Sequence, residues 1–213
     1  MENVEILENI ETETTLLDIL NYYKANVLPY KYEVCSRNSL KLEFEIDKKS
    51  ICHLLLGTVS DGMASNIKLY KGERGYNGIE DGSVTFKNLP KPILKYANNR
   101  MYDFLEIDSL LKNDAIGVNG IFFLNENVNL QKNEKNDILK RLNILKPSNI
   151  DADFMIYKKI NNQKYMQLFL KNQGSRLIPV SFFCVPITPK NPGLHFIERQ
   201  KAFKVFHLHK IAK

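Results

Sequence analysis

Residues 39–57, SLKLEFEIDKKSICHLLLG, combine two hydrophobic periods in one short stretch. Residues 39–46 alternate strictly, which predicts a half-buried antiparallel strand whose apolar face carries Leu40, Leu42, Phe44 and Ile46. The preceding run YKYEVCS, residues 30–36, completes a predicted hairpin. A helix follows, because Asp47 is a suitable N-cap and Gly57 a suitable stop. A hairpin that leads directly into a helix indicates an α+β protein.

His53 is the unusual residue of this helix, since the chain has only four histidines. At 100° per residue, the core side of the helix collects Ile51, Leu54 and Leu55. His53 points nearly opposite to their mean direction. Two interpretations remain open: His53 is a packed structural residue, or the helix holds its imidazole steady for chemistry.

The overall composition is that of an ordinary globular protein. Its 213 residues are 44% hydrophobic and 25% charged, and a chain of this length can bury a sizeable core. No run approaches the roughly 18 apolar residues of a membrane-spanning helix, and the acidic N-terminus does not resemble a secretory signal. The three cysteines have no zinc or disulfide spacing. We therefore expect a cytoplasmic protein without a membrane partner, a cofactor or a metal.

Charge is distributed unevenly along the chain. The formal net charge is +6, yet residues 154–213 hold nine Lys and two Arg against one acid, Glu198. A basic segment of this kind is typical of proteins with an anionic partner, of which nucleic acid is the commonest. The alternative is that the lysines only solvate the surface, although this would not explain the loss of acids from one end.

Two further regions have readable secondary structure. Residues 14–25 place leucines at helical spacing, and residues 94–111 also indicate a helix. The glycine-rich residues 61–92 predict a loop with a short strand at 83–86. Within this loop KGERGYNG lacks the Gly-Lys-Ser/Thr ending of a phosphate-binding loop, so we do not interpret it as a nucleotide site.

The C-terminal third contains four strand candidates, at residues 153–160, 164–172, 177–187 and 202–211. They predict a four-stranded antiparallel meander. We thus predict a single α+β domain over residues 1–213, with helices packed on an antiparallel sheet. Its parts are an acidic segment and helix (1–29), a hairpin, histidine helix and helical middle (30–150), and a basic antiparallel sheet (151–213).

Alternation within the second and third of these strands divides their side chains between two faces. The core side would hold Met166, Leu168, Leu170, Val180, Phe182 and Cys184. The other side would hold Tyr165, Gln167, Phe169, Pro179, Ser181 and Phe183. Aromatic rings among cations are typical of single-stranded RNA binding, because bases stack while phosphates pair with cations. The alternative is that a further helix covers this face. The residues expected to contact nucleic acid are Tyr165, Phe183, Lys204 and His207.

The order of these parts resembles a known family. SLKLEFEI at 39–46, HLLLG at 53–57 and IPVSFF at 178–183 are similar to motifs of the phage-associated branch of the barnase/EndoU/colicin/RelE-like nucleases. The resemblance implies helices packed on an antiparallel sheet and metal-independent cleavage of RNA. It maps the motif histidine to His53 and the motif serine to Ser181.

Metal-independent RNA cleavage needs a base for the ribose 2′-hydroxyl, a group that stabilises charge on the phosphate, and an acid for the leaving 5′-oxygen. An imidazole has an ordinary pKa of about 6.5, so His53 is the candidate acid and base. Lys159 and Arg176 are candidates for charge stabilisation, and Ser181 for donation to a phosphate oxygen. The alternative for Lys159 and Arg176 is a solvated position, and for Ser181 an ordinary strand hydroxyl.

His207 and His209 lie two positions apart on a predicted strand and so share one face. They could bind a metal together, but a convincing site needs a third ligand, and this segment has almost no carboxylates. The alternatives are a solvated or nucleic-acid-facing pair, or a second acid–base group beside His53.

We interpret the chain as a metal-independent ribonuclease of phage or mobile-element origin, acting as a toxin or defence effector. RNA is the expected partner, together with a neutralising or regulatory protein. The competing interpretation is a non-catalytic module that binds nucleic acid or protein through the basic C-terminal sheet.

Overall fold

The structure, a computed structural model, describes residues 14–36, 41–57, 67–112, 118–122, 150, 152–173, 176–190 and 202–213. The chain forms two compact units, each assembled from two stretches of sequence. The first unit combines Met1–Pro29 with Asp47–Leu105, and the second combines Tyr30–Ile46 with Glu106–Lys213. The predicted hairpin is therefore part of the same unit as the basic C-terminal strands, whereas the histidine helix belongs to the first unit.

The first unit is helical throughout its described residues. Its helices are α1 (Leu16–Asn26), α2 (Lys48–Leu56), α3 (Gly72–Glu80) and α4 (Lys91–Leu105), with short 3-10 helices at Ile67–Tyr70 and Phe86–Asn88. Helix α1 confirms the prediction for residues 14–25. A capping box fixes its start, since the Thr15 hydroxyl accepts from the Asp18 backbone and the Asp18 carboxylate from the Thr15 backbone. Its apolar side is buried through Leu16, Ile19, Leu20 and Tyr23.

Helix α3 corrects the prediction of a loop over residues 61–92. Gly75 and Gly78 lie where neighbouring atoms approach most closely: a Cβ at Gly75 would be 2.8 Å from Cys52 Sγ, and one at Gly78 would be 2.7 Å from a valine methyl group. Although glycine lowers helix propensity, Gly75 lets α3 pack against Cys52 of α2, and Gly78 lets it pack against Val84. The strand predicted at 83–86 is also wrong, because these residues form a turn that leads into a 3-10 helix.

Within its described residues, the second unit consists of a closed β-barrel and the short helix α5 (Ile107–Leu111). Its strands are β1 (Tyr30–Ser36), β2 (Lys41–Glu45), β3 (Val118–Phe122), β4 (Phe154–Ile160), β5 (Lys164–Gln173), β6 (Arg176–Pro186) and β7 (Ala202–Ala212). Their order is β1-β2-β6-β5-β4-β3-β7, and β7 returns to β1. Strands β2 and β6 are parallel, whereas the other neighbours are antiparallel. The α+β class is confirmed, but the sheet is mixed.

Strand β7 does not extend the predicted meander. Strands β4, β5 and β6 are antiparallel neighbours as expected. Strand β7 instead pairs with β1 along its length, from Tyr30 opposite Ala212, and with β3, where Asn119 lies opposite Lys204. The physical reason is closure of the barrel, because β7 satisfies the backbone groups on the otherwise open edges of both β1 and β3.

The barrel interior largely follows the predicted alternation. Four predicted core residues are fully buried: Met166, Leu168, Leu170 and Phe182. A register shift then changes the pattern in β6, where Leu170 lies opposite Pro179 and Phe169 lies opposite Ser181. Val180 is the extra residue of this bulge. Pro179 therefore shares the interior side, and Val180 packs against a cluster that includes Tyr157 and Phe169, the reverse of the predicted assignment.

Replacing Gly75 by alanine tests the contact between α2 and α3. The new methyl group would lie 2.8 Å from both Cys52 Sγ and the Tyr70 backbone carbonyl carbon. We expect the free energy of unfolding, measured by urea denaturation, to fall by about 1–3 kcal/mol in Gly75→Ala, despite the better helix propensity of alanine. Asn77→Ala, at an exposed position of the same helix, is the matched control and should not be destabilised. A Gly75→Ala protein as stable as the parent would contradict the close packing.

The Cys52 thiol supplies a pH-dependent test of the same core. Burial raises its pKa from 9.0 to about 12. Since the thiol stays neutral when folded but ionises when unfolded, its contribution to stability is constant below pH 9.0 and is lost as the pH rises toward 12. We expect iodoacetamide to leave Cys52 unmodified in the native protein at mildly alkaline pH and to modify it in urea, as read by peptide mass spectrometry. Rapid native modification would contradict the burial.

Candidate active site on the histidine helix

Helix α2 carries His53 between two well-defined ends, as the sequence predicts. At its start the Asp47 carboxylate accepts from the Ser50 backbone N–H at 2.9 Å and from the Ser50 hydroxyl at 2.8 Å. The Tyr23 hydroxyl of α1 donates to the Asp47 carbonyl at 2.8 Å. At its end the Gly57 N–H donates to the His53 carbonyl at 3.1 Å. These contacts fix the backbone that carries the imidazole.

His53 is half-buried, in contrast to the residues around it. Its neighbours in the helix are buried, and they include the predicted core residues Ile51, Leu54 and Leu55 as well as Cys52 and Leu56. His53 is thus less buried than Ile51, Leu54 and Leu55, which fits its predicted direction away from them. A half-buried imidazole on a fixed backbone can exchange protons with solvent or a ligand while its position is maintained.

Arg100 is the residue that sequence reasoning missed. It lies on α4 and its Nη1 donates to the Leu54 carbonyl at 3.0 Å, one residue from His53. Its guanidinium carbon lies 5.7 Å from the centre of the Tyr96 ring. Burial lowers the pKa of Arg100 and the neighbouring Tyr96 raises it, but a guanidinium remains charged at neutral pH. The structure therefore brings a permanent cation to the last turn of the histidine helix.

Gly57 ends α2 and lies against the Tyr96 ring. Its φ of 80° and ψ of −177° fall in a region that is essentially restricted to glycine. A Cβ there would be 3.4 Å from Tyr96 Cγ, so the ring covers the end of α2. We call His53, Leu54, Gly57, Tyr96 and Arg100 the histidine cluster. The spacing of Tyr96 and Arg100, four residues apart on a helix, was visible in the sequence, but nothing local pointed to α2 as their neighbour.

Lys159 lies in the second unit, in a cleft of about 390 Å³ at the hairpin between β4 and β5. Arg176 is exposed at the start of β6, opposite Gln173 of β5, whereas Lys159 pairs with Tyr165. Their partners on β5, Tyr165 and Gln173, are eight positions apart, which corresponds to about 26 Å along the strand. Lys159 and Arg176 therefore do not share one phosphate-sized site.

Ser181 is half-buried on β6, directly opposite the buried Phe169. Tyr165 and Phe183 are also half-buried, and both pack against an outer cluster formed by Ala152, Met155, Tyr157 and Phe169. Phe183 stacks on Phe169 with 5.2 Å between ring centres, and Tyr165 meets Tyr157 edge-on at 6.3 Å. Gln167 and Phe169, which were predicted to lie on the same outer face as Tyr165 and Phe183, are completely buried. At these two positions the structure agrees with the alternative in which that face is covered.

His207 and His209 are both exposed on one face of β7, as predicted. Their rings stack with 5.6 Å between centres. On β1 they lie opposite Cys35 and Glu33. No group of three or more His, Cys, Asp or Glu side chains in the described residues could hold a metal ion. For Lys204 the structure gives the backbone position, opposite Asn119.

Searches of family models, curated proteins and solved structures find no match to this chain. Among the residues that the structure describes, no helix is long and apolar enough to cross a membrane.

Gly57→Ala tests the packing of the histidine cluster. Alanine at a φ of 80° and a ψ of −177° is strained, whereas its methyl group would only make ordinary van der Waals contact with Tyr96, 3.4 Å from Cγ. We expect a loss of about 1–3 kcal/mol in the free energy of unfolding, measured by urea denaturation. Lys49→Ala, at an exposed position of α2, is the control and should leave stability almost unchanged. A neutral Gly57→Ala would mean that the end of α2 tolerates another conformation.

Proposed function

We propose that this protein is a metal-independent ribonuclease in which His53 is the acid–base residue and Arg100 binds the phosphate. The observation that carries the proposal is the bond from Arg100 Nη1 to the Leu54 carbonyl, which ties a cation to the residue next to His53. The sequence motifs support it, because they assign the motif histidine of a nuclease family to His53. We further propose that the chain has the barnase/EndoU/RelE-like fold which that resemblance implies.

The chemistry follows from the two groups. Neutral His53 takes the proton of a ribose 2′-hydroxyl, and the 2′-oxygen attacks the adjacent phosphorus. The bond from phosphorus to the 5′-oxygen breaks, and the imidazolium returns a proton to that oxygen. The products are a 2′,3′-cyclic phosphate and a free 5′-hydroxyl, so protons and bonds balance without a metal. Arg100 offsets the negative charge that develops on the phosphate oxygens, for which a guanidinium is geometrically suited.

The proposal extends to the cellular compartment in which the protein acts and to its partners. A ribonuclease of this kind would act in the cytoplasm on host RNA, as a toxin or defence effector of a phage or mobile element. A neutralising or regulatory protein would then be needed to protect the cell that makes it. The second candidate is a non-catalytic nucleic-acid-binding module, which the basic residues of 154–213 favour. It predicts RNA binding without turnover.

Incubation with labelled single-stranded RNA and matched DNA, in excess chelator, separates the candidates. The parent protein should cleave RNA alone and leave 2′,3′-cyclic phosphate ends. His53→Ala should lower the rate by about 10²- to 10⁴-fold, because it removes the acid and base. Arg100→Met should lower it by about 10²-fold, and Arg100→Lys by less, because lysine keeps the charge but loses the planar fork.

His209→Ala is the matched control, since it removes an exposed imidazole from the other unit. It should retain the parent rate, and circular dichroism should show that each variant is folded. A folded His53→Ala protein that cleaves as fast as the parent would refute the assigned role. RNA that is bound at low salt but never cut by the parent would favour the binding module.

A further inference from the structure

The cleft at the β4–β5 hairpin is small, and more basic than acidic side chains line it. Its volume is about 390 Å³, and the polar residues that line it include Glu106, Ser109, Lys158, Lys159, Asn161 and Lys164. Three ammonium groups thus share the cleft with one carboxylate. The hairpin turn is closed by the Gln163 N–H, which donates to the Ile160 carbonyl at 2.9 Å, and Asn161 and Asn162 adopt positive φ values of 47° and 58°.

The three lysines differ in how they are held. Lys164 Nζ lies 3.1 Å from the Glu106 carboxylate, so the single acid is already engaged. Lys158 is half-buried and its Nζ donates to the Ser109 carbonyl at 3.2 Å. Lys159 is exposed. In the described part of the chain, no ion pair joins a carboxylate to Lys158 or Lys159.

The surroundings of Lys158 disfavour its positive charge. Burial lowers the pKa of Lys158, and the positive charge of Lys112 lowers it further. An anion in the cleft would offset both effects, because it would add a negative charge beside an ammonium group that donates to the uncharged Ser109 carbonyl. The arrangement is therefore one that binding an anion would stabilise.

We propose that this cleft binds a backbone phosphate of single-stranded RNA, with Lys158 and Lys159 as its ligands. The assignment takes RNA as the polymer from the proposed function. An aromatic neighbour favours a nucleic acid over a free phosphate: Lys159 Nζ lies 6.0 Å from the centre of the half-buried Tyr165 ring. A cation beside a ring is the combination that single strands use, with the phosphate on the cation and the base on the ring.

The test is fluorescence anisotropy with a labelled 2′-O-methyl RNA dodecamer over a range of KCl concentrations. This RNA lacks the attacking hydroxyl, so binding is measured without cleavage. Lys158→Met combined with Lys159→Ala should weaken binding on the order of tenfold at low salt. The slope of log affinity against log salt should become shallower by about 0.7 for the single phosphate contact that is lost.

Lys171→Ala is the matched control, because it removes a lysine from the same strand, seven positions from Lys164 or about 23 Å away. It should keep the parent affinity and slope. Since Lys158 is half-buried, Lys159→Ala alone is a second variant for the case in which the double variant does not fold. It should weaken binding by several-fold.

Three results would overturn the proposal. They are an unchanged slope in the folded lysine variants, an equal change in Lys171→Ala, and binding of inorganic pyrophosphate that depends on these lysines while RNA binding does not. The last result would assign the cleft to a small phosphorylated molecule. If 2′-O-methyl RNA binds through these lysines but unmodified RNA is never cleaved, the proposed ribonuclease fails and the phosphate site stands.

Discussion

A nine-residue helix is too short to be stable by itself in water, so the candidate site depends on the contacts that hold the two ends of α2. Its first turn is capped by Asp47, whose carbonyl accepts from Tyr23 of α1. Its last turn is bound by Arg100 of α4 through the Leu54 carbonyl. The packed helices around α2 therefore set the position of His53, and a change in either neighbour would be transmitted to the imidazole.

The same contacts have an electrostatic consequence. Carbonyl groups at the end of a helix lack partners within the helix and carry partial negative charge, which a nearby cation offsets. Arg100 supplies that cation through its bond to the Leu54 carbonyl. In the second unit Lys158 has a similar contact, because its Nζ donates to the Ser109 carbonyl of the short helix α5.

Local patterns in the sequence predicted a good part of this structure. The strand around Phe44 was predictable because alternation is a property of adjacent residues. The helix between Asp47 and Gly57 was predictable because both capping residues are local signals. Helix α3 was not predicted, because its glycines indicated a loop. Glycine is needed at position 75 to make room for Cys52, which is distant in sequence. The place of β7 and the neighbours of Arg100 were missed for the same reason. They follow from barrel closure and from packing between helices, neither of which has a local signal.

The spacing from His53 to Gly57 has a physical origin in the fold. Four positions separate the two residues because the Gly57 N–H donates to the His53 carbonyl, the last bond of the helical pattern. The chain must then leave the helix sharply, and with a ψ of −177° at a φ of 80° only glycine does so without strain. The Tyr96 ring lies against Gly57, and the helix that carries this ring also carries Arg100, which donates to the Leu54 carbonyl. One glycine thus ends the helix beside Tyr96 and close to the carbonyl that Arg100 binds, so a substitution at Gly57 should affect both the stability of α2 and the position of His53.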